Sequence, residues 1–369
     1  MSTNSDTSIN APARRAGQRP RTLAGVERAA ELLAPMPLVA LDGSSPVGLL
    51  DSEAARAHTL IEAATNLYGG LAVRVADRLS RRWLVRSRNP YLGEIETAAR
   101  HLDRPGVWLL NLSYEWACTT RVLPDPHGVG NRMLRSLDWL LEGLGGATVV
   151  AHQSGPAGPY YNVTWPGFVG VVTAMAPRRF SAALNQAPWL RPRLPVWLDW
   201  TLDRLLLWRT GAMPPAHLLR QVFDECRTFA EAKERLRDTP ICLPAIFILS
   251  GVNPDEGVVI ERLELEAEVH ESPACAANHW LNGRFRGRDR RTQSVVRHAR
   301  LSRFEANGAP SFSWLVPPVL NESTRIAIEA NAARGELVLR GFDDGRAVTG
   351  VLRVVDGRAG RLTAEGAAV

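Results

Sequence analysis

The period of the hydrophobic positions changes several times along the chain, and each change marks an element. Residues 24–34 and 52–83 carry apolar side chains at helical spacing, with an interruption predicted at Gly69-Gly70. After Asn89-Pro90 the segment YLGEIETAARHL predicts another helix. The run GVWLLNLSYEWA (106–117) is rich in apolar residues and predicts an extended segment leading directly into Cys118. Between 147 and 175, ATVVAHQ, YYNVTW and GFVGVVTAM predict strands, because they are rich in β-branched and aromatic residues and are broken by Gly-Pro. Residues 217–237 predict a helix, a break near Thr228 and a second helix. Thr228 followed three residues later by Glu231 is a capping-box pattern. Strands return in 245–263, at ELVLRGF (336–342) and at AVTGVLRVV (347–355), with a short helix predicted over 327–333.

These elements lack the regular βαβ rhythm of a dinucleotide-binding chain, and neither G-x-G-x-x-G nor G-K-S/T occurs, so no nucleotide cofactor is indicated. No internal repeat is visible. The first 22 residues are polar and lack an apolar signal region, which predicts a disordered tail. No stretch reaches the roughly 18 uncharged apolar residues of a membrane span. The expected location is the cytoplasm, with peripheral membrane contact as an option.

A length of 369 residues allows one large or two modest domains, and 45% apolar with 22% charged residues is ordinary for a globular chain. The net charge of +6 is spread along the chain without a nucleic-acid-binding motif, so a lipid or membrane surface accounts for part of it better than nucleic acid does. The segment 189–208 interleaves Trp189, Trp197, Trp200 and Trp208 with arginines. It reads either as a core or interface helix or as an amphipathic lip for lipid contact. The four cysteines are sparse and lack C-x-x-C spacing, which argues against a disulfide scaffold and a zinc site. No metal cofactor is expected.

One of those cysteines has a distinctive setting. Cys118 lies in NLSYEWACTTR, preceded by the small Ala117 and followed by Thr119 and Thr120, and Arg135 and Asp138 follow in RSLDW. A cysteine that becomes a chain terminus by self-cleavage carries both a thiol nucleophile and an α-amine base, the latter with a reference pKa of about 7.7–8.0. Taken alone, Arg135 and Asp138 read rather as a surface ion pair.

These motifs resemble the acid ceramidase and N-acylethanolamine acid amidase group of N-terminal-nucleophile hydrolases, related to choloylglycine hydrolase. The resemblance rests on Tyr114-Glu115, Cys118-Thr119-Thr120 and Arg135-Ser-Leu-Asp138-Trp139. It extends through GEIETAARHL (93–102), GFVGVVTAMAPRRFSAALNQ (167–186), FAEAKERLRDTPICLPAIFILSGVNPDEGVVIER (229–262), ANHW (277–280) and RDRRT (288–292). It covers about residues 93–292. It implies an α+β, four-layer αββα sandwich with an N-terminal helical pro-segment (23–117) and a catalytic part (118–369) released by cleavage before Cys118, the two pieces staying associated.

It also implies roles. Cys118 attacks the substrate carbonyl, Asp138 orients the freed amine, and Arg135 places a guanidinium beside the nucleophile. Asn185 and Asn278 donate to the oxyanion, and Arg291 is an electrostatic or structural element of the site. Arg288 stands where the family has Asp, which leaves local substrate contacts open. His279 is structural, since the α-amine takes the place of a histidine base. The implied activity is hydrolysis of a lipophilic N-acyl amide through an acyl-Cys118 intermediate. Alternatives are acyl transfer or cyclisation from the same intermediate, and a non-enzymatic lipid-binding protein.

Overall fold

The computed structural model describes residues 33–112, 116–189, 207–290, 293–306, 310–355 and 358–361. The predicted tail, most of the predicted helix 24–34, most of the Trp-rich segment and Arg291 lie outside the described residues.

Two eight-stranded sheets face each other and helices cover their outer sides, giving the αββα sandwich that the motifs imply. The first sheet runs β1(Leu38–Ala40), β4(Val149–Gly155), β5(Gly158–Thr164), β6(Thr173–Ala176), β7(Phe180–Gln186), β8(Ala245–Gly251), β9(Gly257–Arg262), β10(Ala267–Glu271). It is antiparallel except where β1 pairs in parallel with β4. The second runs β11(Cys275–Ala276), β2(Ala117–Pro124), β3(Asn131–Asp138), β12(Thr324–Asn331), β13(Glu336–Asp343), β15(Leu352–Val355), β16(Arg358–Arg361), with β14(Arg346–Ala347) paired to β13. Strands β7, β8, β9 and β12 are buried along their whole length, as strands sandwiched between layers must be.

The N-terminal part supplies helices α1(Leu50–Tyr68), α2(Gly70–Arg86), α3(Leu92–Leu102) and α4(Val107–Leu110). Gly69 separates α1 from α2 at φ 86°, a conformation that a side chain would strain. A short α5(Leu144–Ala147) packs on the second sheet against β13. Helices α6(Pro215–Glu225) and α7(Phe229–Asp238) cover the first sheet, and α8(Ser294–Ser302) lies on β2. The Thr228 hydroxyl accepts from Glu231 N–H at 3.2 Å, while the Glu231 carboxylate reaches back to Arg227 N–H at 2.7 Å. Such a cap stabilises a helix by about 1 kcal/mol.

Two expectations are corrected. Residues 107–110 are helical, not extended: Asp77 of α2 accepts from Leu109 N–H at 3.1 Å and so caps α4 from 32 positions away. Residues 327–331 belong to β12 rather than to a short helix. Their Ala and Glu content favours helix, but β12 is held between β3 and β13, and pairing on both sides overrides local propensity. Glu329 is tolerated in that core because it accepts from Phe312 N–H at 2.6 Å and Trp314 Nε1 at 2.8 Å. Among the described residues no helix is long and apolar enough to cross a membrane.

Candidate active site

Strand alternation decides what surrounds Cys118. Side chains at every second position of β2 share a face, so Cys118 and Thr120 point together, and their register partners on β3 are Leu137 and Arg135. That face looks across the sandwich to β7. Arg135 spans the gap: its Nη2 lies 3.0 Å from Cys118 Sγ and 2.8 Å from the Leu184 carbonyl, and its Nη1 lies 3.2 Å from the Val172 carbonyl. The side chain has no solvent exposure, so these acceptors take the place of water around a buried cation. Arg135 and Asp138 are three apart on a strand and therefore point to opposite faces. A surface ion pair is not their arrangement.

Asp138 lies opposite Ala117. Its Oδ1 accepts from Thr324 Oγ1 at 2.9 Å, and its Oδ2 accepts from Asn321 Nδ2 at 3.2 Å and from Arg297 Nη1 at 3.4 Å. Asn278 reaches the Cys118 backbone: its Oδ1 accepts the Cys118 N–H at 2.8 Å, and its Nδ2 donates to the Gln186 carbonyl at 2.8 Å. Asn185 accepts from Thr120 Oγ1 at 3.0 Å and donates to the Ala276 and Ala277 carbonyls, each at 3.2 Å. Both asparagine amides are thus engaged with the protein in this conformation. Cys118, Arg135, Asp138, Asn185 and Asn278 gather around the start of β2, with Arg135 and Asn185 on the thiol face and Asp138 on the other, and the remaining candidate, Arg291, is outside the described residues.

Arg297 is the residue that the sequence reading missed. It sits on α8, is 2% exposed, and donates to the Cys118 carbonyl at 3.0 Å, Thr119 Oγ1 at 2.7 Å and Asn278 Oδ1 at 3.1 Å, besides Asp138. Its burial on α8 marks it, and burial is not legible in SVVRHARLS. His279 pairs through Nδ1 with Ser294 Oγ at 2.9 Å, consistent with a structural part, and Ser294 also receives the Asn278 N–H at 2.9 Å.

Burial pushes the Cys118 thiol up to about 11. Arg135 and Arg297 pull it down, and the Asp138 charge pushes it further up. Cys226 and Cys275 are raised by burial as well, to about 11 and about 12. What sets Cys118 apart is therefore a guanidinium on its sulfur, not its titration. On the opposite side of β2 an open cavity of about 370 Å³ is lined by Ala117, Asp138, Gln293, Arg297, Asn321 and Ser323. Ala117 contributes to the wall of this cavity although it is itself buried, and the thiol side is packed. Among the described residues no three His, Cys, Asp or Glu side chains are grouped to hold a metal ion.

Cys118 thus carries an arginine on its thiol, and its backbone N–H and carbonyl are each held by a placed side chain. In sequence the chain is similar to acid ceramidases and to N-acylethanolamine-hydrolyzing acid amidases. It is 28% identical over 219 residues to a probable acid ceramidase of Caenorhabditis elegans, a match covering 52% of each chain. The N-acylethanolamine-hydrolyzing acid amidase of Oryctolagus cuniculus is 30% identical over 160 residues, 42% of each chain. Human acid ceramidase is 28% identical over 184 residues, 47% of this chain and 45% of its own. The chain spans about half the length of the curated relatives it matches. No protein-family model matches it. Among solved structures, a C. elegans N-acylethanolamine-hydrolyzing acid amidase ortholog superposes with a TM-score of 0.46 at 20% identity, over 58% of this chain and 93% of that one. The partial sequence match supports relationship to these amide hydrolases at the level of the superfamily.

Proposed function

We propose that the chain is a cysteine amidohydrolase that activates itself by cutting between Ala117 and Cys118, and that it then hydrolyses a lipophilic N-acyl amide. The observation that carries this reading is the triple hold on Cys118: Arg135 on its sulfur, Asn278 on its nitrogen and Arg297 on its carbonyl.

In maturation, Cys118 Sγ adds to the Ala117 carbonyl carbon. The Ala117–Cys118 C–N bond breaks, the thiol proton passes to the nitrogen, and water from the adjoining cavity hydrolyses the thioester. The products are residues 1–117, ending in a carboxylate, and 118–369, starting with an amine.

In turnover the free α-amine of Cys118 takes the thiol proton as sulfur adds to the substrate carbonyl, then gives it to the departing amine. Water hydrolyses the acyl-cysteine and restores the thiol. Asn278 Oδ1 and Asp138 orient the amine, and Arg297 fixes both. Arg135 stabilises the thiolate and the adjoining developing charge. Asn185 and Asn278 serve as oxyanion donors once their amide groups are released from the Ala276, Ala277 and Gln186 carbonyls. Arg291 belongs to the same proposed set.

Contacts across the cut support continued association of the products. Glu94 accepts two bonds from the buried Arg220, at 2.8 and 2.9 Å, Trp83 Nε1 donates to the Leu207 carbonyl at 2.8 Å, and β1 remains an edge strand beside β4. A panel of fluorogenic N-acyl amides, assayed with the wild type and Cys118→Ala, tests the activity. Turnover by the wild type alone supports it, and absence of turnover from both rejects it.

A further inference from the structure

Asn278, which holds the Cys118 nitrogen, is itself held at every polar atom. Its Oδ1 accepts from Cys118 N–H and Arg297 Nη2, its Nδ2 donates to the Gln186 carbonyl, and its own carbonyl accepts from Arg290 N–H at 3.1 Å. Its backbone N–H donates to Ser294 Oγ at 2.9 Å, and Ser294 Oγ also lies 2.9 Å from His279 Nδ1. Ser294, Arg297 and His298 are spaced at i, i+3 and i+4 on α8 and share one face of that helix. His279 abuts this face: its ring meets the His298 ring edge-on, with centroids 5.2 Å apart. A line of contacts therefore runs from His279 through Ser294 and Asn278 to the nitrogen that the proposed reaction uses as its base.

The protons along this line can be placed. Ser294 is 1% exposed, and among the described residues Asn278 N–H and His279 Nδ1 are the partners of its hydroxyl. The amide N–H can only donate, so the hydroxyl accepts from it and has its own hydrogen left to place. A neutral His279 with its proton on Nε2 offers Nδ1 as the acceptor, and both bonds are made. A protonated His279 offers only donors. The hydroxyl would then face two N–H groups with its own hydrogen unpaired in a buried place, a larger loss than the bond itself. The surroundings favour the neutral ring. Burial lowers the His279 pKa, and His298 and Arg297 of α8 act in the same direction, whereas Asp289, and Glu261 on β9, oppose them. His298, whose Nε2 donates to the Cys275 carbonyl at 3.2 Å, is lowered by burial as well.

We propose that His279 is a positioning residue for the Cys118 α-amine: as a neutral imidazole it accepts the Ser294 hydroxyl proton and so fixes Asn278, and its protonation releases Asn278 and stops turnover. This rests on the terminal-nucleophile reading above. His279 bonds to Ser294 and acts through it, and it does not serve as the base. The consequence is a second requirement on the acid side. Turnover needs the α-amine unprotonated, with a reference pKa of about 7.7–8.0, and it needs His279 neutral as well, with a break below about pH 6.5. Protonation of either group stops the reaction, so log kcat/KM falls with a limiting slope of about two as pH drops, rather than about one.

The test uses the full chain after its processing has been checked by intact mass. kcat/KM is followed against pH on a non-titrating fluorogenic N-acyl amide, with circular dichroism confirming the fold at each pH. His279→Phe keeps a ring but removes the acceptor. It is expected to lower kcat/KM by about 10–100-fold on the alkaline plateau, as a misplaced reacting group does, and to show a limiting slope of about one. His279→Asn supplies an amide oxygen that accepts without titrating, so it is expected to recover most of that loss and still show a slope of about one. Ser294→Ala is expected to match His279→Phe, and the double variant to lose no more than either alone, because the two act as one chain. It serves also if the phenylalanine variant does not fold. A histidine that only supports the fold would leave the slope unchanged. A split, active enzyme with a slope of about one in the wild type, or about two in His279→Asn, or in which the His279 and Ser294 losses multiply, overturns the positioning role and leaves the activation reading standing. A chain that stays whole and inactive overturns both.

Discussion

The two sides of β2 at Cys118 are built on different principles. On the thiol side, Cys118, Thr120 and Arg135 face the first sheet, and the Arg135 charge is enclosed by two carbonyls and a sulfur. On the other side, Asp138 and Arg297 border an open cavity beside Ala117. The difference matches the two halves of the proposed chemistry. A buried guanidinium acts strongly on a developing thiolate because little water screens it. Proton transfer and thioester hydrolysis need access to water, and the open side provides it.

Removing the Arg135 charge from the packed side should have the largest effect. Arg135→Met is expected to lower kcat/KM by about 10²–10³-fold, as losing a preorganised charge-stabilising donor does. It should also destabilise the fold, since each buried acceptor left unpaired costs about 1–3 kcal/mol. Arg135→Lys should not restore activity, because an ammonium cannot span Sγ, Leu184 and Val172 together. Steady-state kinetics and urea denaturation measure both effects.

The open side should respond through pH. Arg297 places a positive charge near the Cys118 nitrogen and disfavours its protonated form, while Asp138 favours it. In the processed enzyme Arg297→Gln is therefore expected to move the acid limb of kcat/KM to higher pH, and Asp138→Asn to move it to lower pH, each by about one unit. The Arg135 variant should lower the profile without moving that limb comparably. Shifts of the same sign for Arg297 and Asp138 would remove the distinction between the two sides.

The smallest effect lies away from the site. Asn89 Nδ2 donates to His217 Nδ1 at 2.9 Å, linking α6 to the N-terminal segment, and burial, with Arg220 nearby, lowers the His217 pKa to about 3. The unfolded chain binds this proton near pH 6.5, so the stability contributed by neutral His217 is present above that value and is lost as pH falls towards 3. His217→Gln should flatten the dependence of Tm on pH between about 6.5 and 4.

What could be read beforehand divides along similar physical lines. Strands buried between layers announce themselves by continuous β-branched and aromatic runs, as in AIFILSG, and Thr228 announces its helix by local capping. Cys118, Arg135 and Asp138 were legible because one hairpin, β2–β3, holds all three at short sequence separation. Arg297 was not, because it meets Cys118 from 179 positions away on a helix of ordinary composition. The helix at 107–110 escaped for the same reason: its cap comes from Asp77. The strand at 327–331 was misread because its Ala- and Glu-rich sequence is overruled by neighbours on both edges.

The most direct test of the central claim is intact mass with N-terminal sequencing of fully active protein, alongside Cys118→Ala. The account predicts two associated pieces, the second starting at Cys118, and a variant that stays whole and inactive. Full amide-hydrolase activity from an uncut chain would contradict it.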